Sequence, residues 1–203
     1  RRLARDIGGG DPERMTALKT AEAVQAYFKS FDNSVTVHVM QDRAELTKNY
    51  PLLMAVARGS EPVPRHAPCV ITLTYQSPNQ AAVKEELYMV GKGVTYDTGG
   101  MDVKTNGIMV GMSRDKCGAA AMAGFMATVA HLKPEHLNVT VKLAMVRNSI
   151  GSNGYVADEL LTGRSGVRVR VGNTDAEGRM AMADVLCEVK EMALAKGNLG
   201  KAR

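Results

Sequence analysis

The chain has 203 residues, 45% hydrophobic and 23% charged, which is enough for one domain with a real core and excludes a disordered chain. A formal charge of +5 does not by itself argue for nucleic acid, and Arg1, Arg2 and Arg5 have no interleaved aromatics to stack bases, so they read as a solvated face. Cys69, Cys117 and Cys187 are odd in number and contain no Cys-x-x-Cys pair, which excludes a disulfide framework and points to a reducing compartment, the cytoplasm or the interior of an organelle.

In chain order, Met15, Leu18, Ala21, Val24, Tyr27 and Phe28 recur at helical spacing and predict a helix over 12–31. Val35, Val37 and Val39 then alternate with polar residues, as in a strand over 34–40. Pro51 and Gly59 bracket a short helix within 50–60, and Pro62, Pro64 and Pro68 mark a connector. A β-rich run over 69–75, a hairpin turn over 76–81 and a strand over 86–92 follow. The span 115–132 predicts a helix, and its apolar run Ala119–Ala130 is shorter than the ~20 residues a bilayer demands, so no membrane span is expected. Strands over 139–146 and 167–171 and a long helix over 176–196 complete an α/β pattern, a sheet layered by helices.

Two segments carry chemistry. The first runs Val90-Gly91-Lys92-Gly93 through Asp97-Thr98-Gly99-Gly100 and Lys104 to Asp115; the second is Asn173-Thr174-Asp175-Ala176-Glu177-Gly178-Arg179. Both follow a strand and enter glycine-containing turns, where α/β sheets gather ligands. Asp175 and Glu177 repel unless a cation neutralises them, and carboxylates without His or Cys suit Mg²⁺, Mn²⁺ or Zn²⁺. Taken singly, each residue has a commoner role. Asp175, Glu177 and Asp115 could cap helices, and Lys92 could snorkel to water. His38, His131 and His136 form no His-x-x-x-His pair and read as structural or exposed, and Cys117 as a packed thiol.

Together these residues resemble the leucyl aminopeptidase family. Its pattern has a Val-Gly-Lys-Gly strand end, an Asp-Ser-Gly-Gly turn, a following lysine, an Asp-x-Gly-Gly-Ala helix start and the heptapeptide found intact at Asn173–Arg179. The segments 113–117 and 155–159 look closest to the probable-aminopeptidase-like branch of animals and protists. The resemblance implies a three-layer α/β/α fold with a mixed central sheet. Residues 1–85 would form a leading portion and 86–203 a metal-site core, without the family's N-terminal domain and C-terminal part.

The resemblance also implies the chemistry. Lys92, Asp97, Asp115 and Glu177 would surround a tightly held metal ion; Asp97, Asp175 and Glu177 would hold an exchangeable one. Lys92 would ligate as a neutral amine, Lys104 would polarise the substrate carbonyl, and Arg179 would hold a bicarbonate base. Met112 would line the pocket for an apolar N-terminal residue of a peptide. Zn²⁺ or Mn²⁺, with Mg²⁺ as a third choice, a homo-hexamer and a cytoplasmic setting complete the expectation. The rival is a catalytically silent structural subunit. Thr98 for Ser, Asp102 beside Lys104, and Lys116-Cys117 after Asp115 depart from the family pattern.

Overall fold

Side-chain caps, rather than apolar spacing, set where the first long helix begins. Asp11 Oδ1 accepts the N–H groups of Glu13 and Arg14 at 2.9 and 3.2 Å, closing a separate turn. Thr16 then caps helix α2, its hydroxyl accepting Lys19 N–H at 3.4 Å. The computed structural model, which describes residues 1–30 and 34–197, therefore starts α2 at Ala17 and not at Pro12; the predicted end at Phe31 lies outside the described residues.

The elements are α1 (Arg2–Ile7), α2 (Ala17–Lys29), β1 (Val35–Met40), α3 (Arg43–Asn49), α4 (Pro51–Ala57), β2 (Cys69–Tyr75), β3 (Glu85–Asp97), α5 (Cys117–Leu132), β4 (Leu137–Asn148), β5 (Leu160–Thr162), β6 (Arg168–Arg170) and α6 (Glu177–Ala195), joined by short 3₁₀ turns. α1 buries Leu3 and Ile7 and leaves Arg1, Arg2 and Arg5 exposed.

The four-stranded sheet has the order β1-β2-β4-β3, antiparallel except for the parallel β3–β4 pair. β4 thus lies between β2 and β3, so the predicted hairpin over 76–81 does not exist. Its polar residues reach β4 instead: Ser77 N–H donates to Asn138 Oδ1 at 2.8 Å, which fixes the connection beside the start of β4. β6 pairs with β5 in a separate hairpin rather than joining the main sheet.

β3 continues to Asp97, past the expected end at Lys92. The glycines belong to the strand because neighbours come too close for a side chain. A Cβ on Gly91 would lie 2.7 Å from Ala119 Cα, and one on Gly93 would lie 2.3 Å from Met145 Sδ. Register shifts between Val94 and Asp97, a bulge at the strand's end.

Side chains alternate across the sheet into two cores. Ile71, Leu73, Val141 and Leu143 pack with α1, α2 and α5. Val70, Ala144 and Val146 pack on the other face with α3, α4 and α6. The architecture is a mixed sheet flanked by helices on both faces. β3 places its carboxyl end beside the start of α6, and there the site forms.

Candidate metal centre

Lys92 points from β3 toward the first turn of α6, and small residues make its channel. A Cβ on Gly178 would sit 2.5 Å from Lys92 Cε, and one on Gly118 would sit 3.0 Å from Lys92 N. In that channel Lys92 Nζ lies 2.7 Å from Asp115 Oδ2 and 2.8 Å from Glu177 Oε1. Asp115 therefore does not cap α5. It precedes the helix, whose N-cap Lys116 makes no side-chain cap bond, and it turns to Lys92.

Asp97 ends β3 and is buried. Its Oδ1 accepts Gly99 N–H at 2.9 Å and Asn148 Nδ2–H at 2.8 Å. Gly99 and Gly100, at φ +88° and +70°, reverse the chain so that Lys104 N–H reaches Thr98 O at 2.8 Å. Lys104 Nζ then lies 2.9 Å from Asp97 Oδ2 and also pairs with Asp175 Oδ1. Asp97, Asp115 and Glu177 each offer an oxygen, all within 4.8 Å of one another.

The electrostatics follow from this crowding. Burial, against the hydrogen bond from Lys92 and with repulsion from Asp97, pushes the Glu177 carboxyl up to about 7. Burial alone would lower Lys92, but its bonds to Asp115 and Glu177 outweigh it and hold the ammonium above the ordinary lysine value. Lys104 is likewise depressed by burial and raised on balance by Asp175 and Asp97. The metal-free site thus uses its lysines as counter-ions. Glu177 Oε2 is buried with no hydrogen-bond partner, a costly arrangement that a cation would relieve. Oxygen donors converging with one such orphan fit a hard or borderline divalent ion.

Asp175, Glu177 and Arg179 share with Lys92, Asn173 and Met182 a groove of about 530 Å³. Arg179 is exposed there. Met112 is half-buried in the 3₁₀ turn just before Asp115 and does not line this groove. The structure therefore brings Lys92, Asp97, Lys104, Asp115, Asp175 and Glu177 together, places Arg179 on the rim and sets Met112 in the turn that leads into Asp115, outside the groove. Sequence reasoning missed Asn148, Tyr155 and Thr174. Asn148 gave no signal of its own, since β4 also carries Asn138, Thr140, Lys142 and Arg147.

Known proteins share this arrangement of chain. The description of the cytosol aminopeptidase family, catalytic domain, matches residues 2–196. A Caenorhabditis elegans protein provisionally named an aminopeptidase is 43% identical over 192 residues, covering 95% of this chain and 36% of that protein. A Chlamydia caviae protein provisionally named a cytosol aminopeptidase is 36% identical over 184 residues, 91% of this chain and 35% of its own. Among solved structures, a cytosol aminopeptidase from Coxiella burnetii superposes with a TM-score of 0.82 at 31% identity, over 93% of this chain and 39% of that one. The bottromycin maturation enzyme BotP, in complex with Mn, does so at 0.81 and 27%, over 92% and 38%. The chain thus spans little more than a third of the length of these relatives. A match to the catalytic-domain description over residues 2–196 makes this chain a member of the cytosol aminopeptidase family.

Proposed function

We propose that the chain carries the metal centre of an aminopeptidase that removes N-terminal, apolar residues from peptides. Lys92, Asp97, Asp115 and Glu177 would hold one divalent ion. Asp97, Asp175 and Glu177 would hold a second, with Zn²⁺ or Mn²⁺ the ions intended and Mg²⁺ acceptable to the oxygen donors. Such ions, when bound, acidify water and polarise a carbonyl.

The protein's own groups have separate tasks. Lys92 can offer a lone pair only after losing a proton, which Asp115 and Glu177 resist in the metal-free site by holding its ammonium. Lys104, largely buried between Asp97 and Asp175, would keep its charge and stabilise negative charge on the substrate carbonyl oxygen. Arg179 would hold bicarbonate as the proton acceptor, since no histidine lines the groove. Met112 would shape the pocket for the departing residue. A cytoplasmic homo-oligomer, a hexamer on the family pattern, is the assembly proposed.

The observation that carries this reading is the convergence of Asp97, Asp115 and Glu177 oxygens within 4.8 Å, beside a lysine, in a chain of this family. Hydrolysis of leucine p-nitroanilide by Mn²⁺-loaded protein, with and without a chelator, tests it. Chelator-sensitive turnover is expected. Glu177→Ala should lose bound metal, whereas Lys104→Ala should keep metal and lose about 10²–10³ in kcat, as for a removed oxyanion donor. Absence of turnover with metal bound would favour a silent structural subunit.

A further inference from the structure

Thr174 offers no ligand to the site, yet it uses every polar atom to frame it. It is fully buried at 0% exposure. Its N–H donates to Asp102 Oδ2 at 2.7 Å. Its hydroxyl donates to Gly99 O at 2.6 Å and accepts Asp102 N–H at 2.8 Å. Its carbonyl accepts Asn148 Nδ2–H at 3.1 Å and the Tyr155 hydroxyl at 2.9 Å.

Four chain segments meet on this residue, that of Tyr155 among them. The loop through Asp102 carries Lys104, the residue itself leads directly into Asp175 and Glu177, and Asn148 ends β4. Asn148, also fully buried, donates the other hydrogen bond of its side-chain Nδ2 to Asp97 Oδ1 at 2.8 Å. With Gly99 N–H on the same oxygen, the Asp97 carboxylate cannot rotate freely, and Oδ2 is the oxygen turned to Lys104. Packing leaves little slack: a Cβ on Gly100 would fall 2.7 Å from Asn148 Oδ1 and 3.0 Å from Thr174 Oγ1.

We propose that Thr174 and Asn148 are positioning residues, locked by Asp102, that hold Asp97, Lys104 and the Asp175–Glu177 turn in register for metal binding. The assignment rests on the metal-centre reading above. Outer groups that orient ligands typically cost 10–100-fold in metal affinity when removed, whereas a merely structural threonine would lower stability and leave affinity alone. Asp102, where the family pattern has a small polar residue, supplies both an acceptor and a donor to the hub.

The test uses the full chain and Mn²⁺ alone. Amide hydrogen exchange on the metal-free protein reads the clamp, and calorimetric Mn²⁺ titration reads its effect on the site. Thr174→Val, which keeps shape and loses the hydroxyl, should speed exchange at Asp102 and Lys104 and weaken Mn²⁺ binding about tenfold or more. Thr174→Ser should restore both. Unchanged exchange in Thr174→Val overturns the clamp, and faster exchange with unchanged affinity overturns the positioning role. If Thr174→Val does not fold, the exposed Asp102 decides: Asp102→Ala binding Mn²⁺ more weakly than Asp102→Asn, which keeps an acceptor without the charge, supports the hub, and equal affinities overturn it. Wild-type chain that takes up no Mn²⁺ overturns the proposed function itself, a result distinct from all of these.

Discussion

Lys92 shows how much a single position depends on the absence of atoms elsewhere. Gly91 lets β3 approach α5, and Gly118 and Gly178 open the channel its side chain occupies. In a helix interior, Gly→Ala normally gains about 1 kcal/mol in propensity. At Gly178 the added methyl would lie 2.5 Å from Lys92 Cε, so the end of the lysine must shift within its place between Asp115 and Glu177. Gly178→Ala is expected to retain its helical circular dichroism while Mn²⁺ affinity by titration falls at least about tenfold, in line with other disturbed ligand environments. Wild-type affinity in that variant would remove Lys92 from the site. Taken singly the candidate site residues each had a commoner role, and they were legible as a set through the family resemblance carried by Gly-Lys-Gly and Asn-Thr-Asp-Ala-Glu-Gly-Arg. Asn148 and Thr174 were not, since a buried amide and hydroxyl declare their partners only once the chain is folded.

At the scale of elements, α4 and α6 are joined by one carboxylate. α4 begins at Pro51 with Tyr50 as an N-cap whose side chain makes no capping bond, its hydroxyl donating to Glu188 instead. Asp184 of α6 supplies the missing acceptor: Oδ2 takes Leu52 N–H at 2.7 Å, and Oδ1 takes Arg164 N–H at 2.7 Å. Burial pushes this carboxyl above the usual aspartate value, partly offset by those two bonds. Asp184→Ala leaves two amide donors without their partner and should cost about 2–3 kcal/mol in urea unfolding, with Mn²⁺ affinity changed less than twofold. The bodies of α2, α5 and α6 and of β1, β2 and β4 were legible from the apolar pattern, whereas β3 was expected to stop at Lys92, short of Asp97. α1, α3 and β5 were not legible: they run six, seven and three residues, too short to show a period. α4 shows no period either, since Leu52 through Ala57 are all buried, and its helix within 50–60 was legible only from the bracketing Pro51 and Gly59. The false hairpin over 76–81 arose because a short polar turn between two strands says nothing of a third strand arriving later from 137–148.

Across the whole molecule, the segment after β4 is tied back by Arg58 at the end of α4. Arg58 Nη1 meets Glu159 Oε2 at 2.7 Å and its Nη2 meets Oε1 at 3.1 Å, while Glu159 Oε1 also accepts Val156 N–H at 3.0 Å. The Arg58 bond, against a smaller burial effect, holds the Glu159 carboxyl below its ordinary value of 4.5. A lowered folded-state value means the bridge contributes fully above about 4.5 and is lost as pH falls below it. Glu159→Gln should therefore flatten the acid limb of the stability profile, by no more than about 1 kcal/mol for a pair only partly shielded from solvent; thermal melts from pH 6 to 3 measure it, and identical limbs would deny the bridge any role. The family was legible over nearly the whole chain, because its signature lies in the loops at one end of the sheet. The clamp between distant segments that seats those loops was not.

The pairing of Lys92 with Asp115 and Glu177, and of Lys104 with Asp97 and Asp175, has a bearing on how the protein is born. Four acidic groups gathered in one place would ordinarily make assembly wait for a dissolved cation. Here each lysine stands between two of the four, so the polypeptide itself offsets the like charge it gathers as it folds.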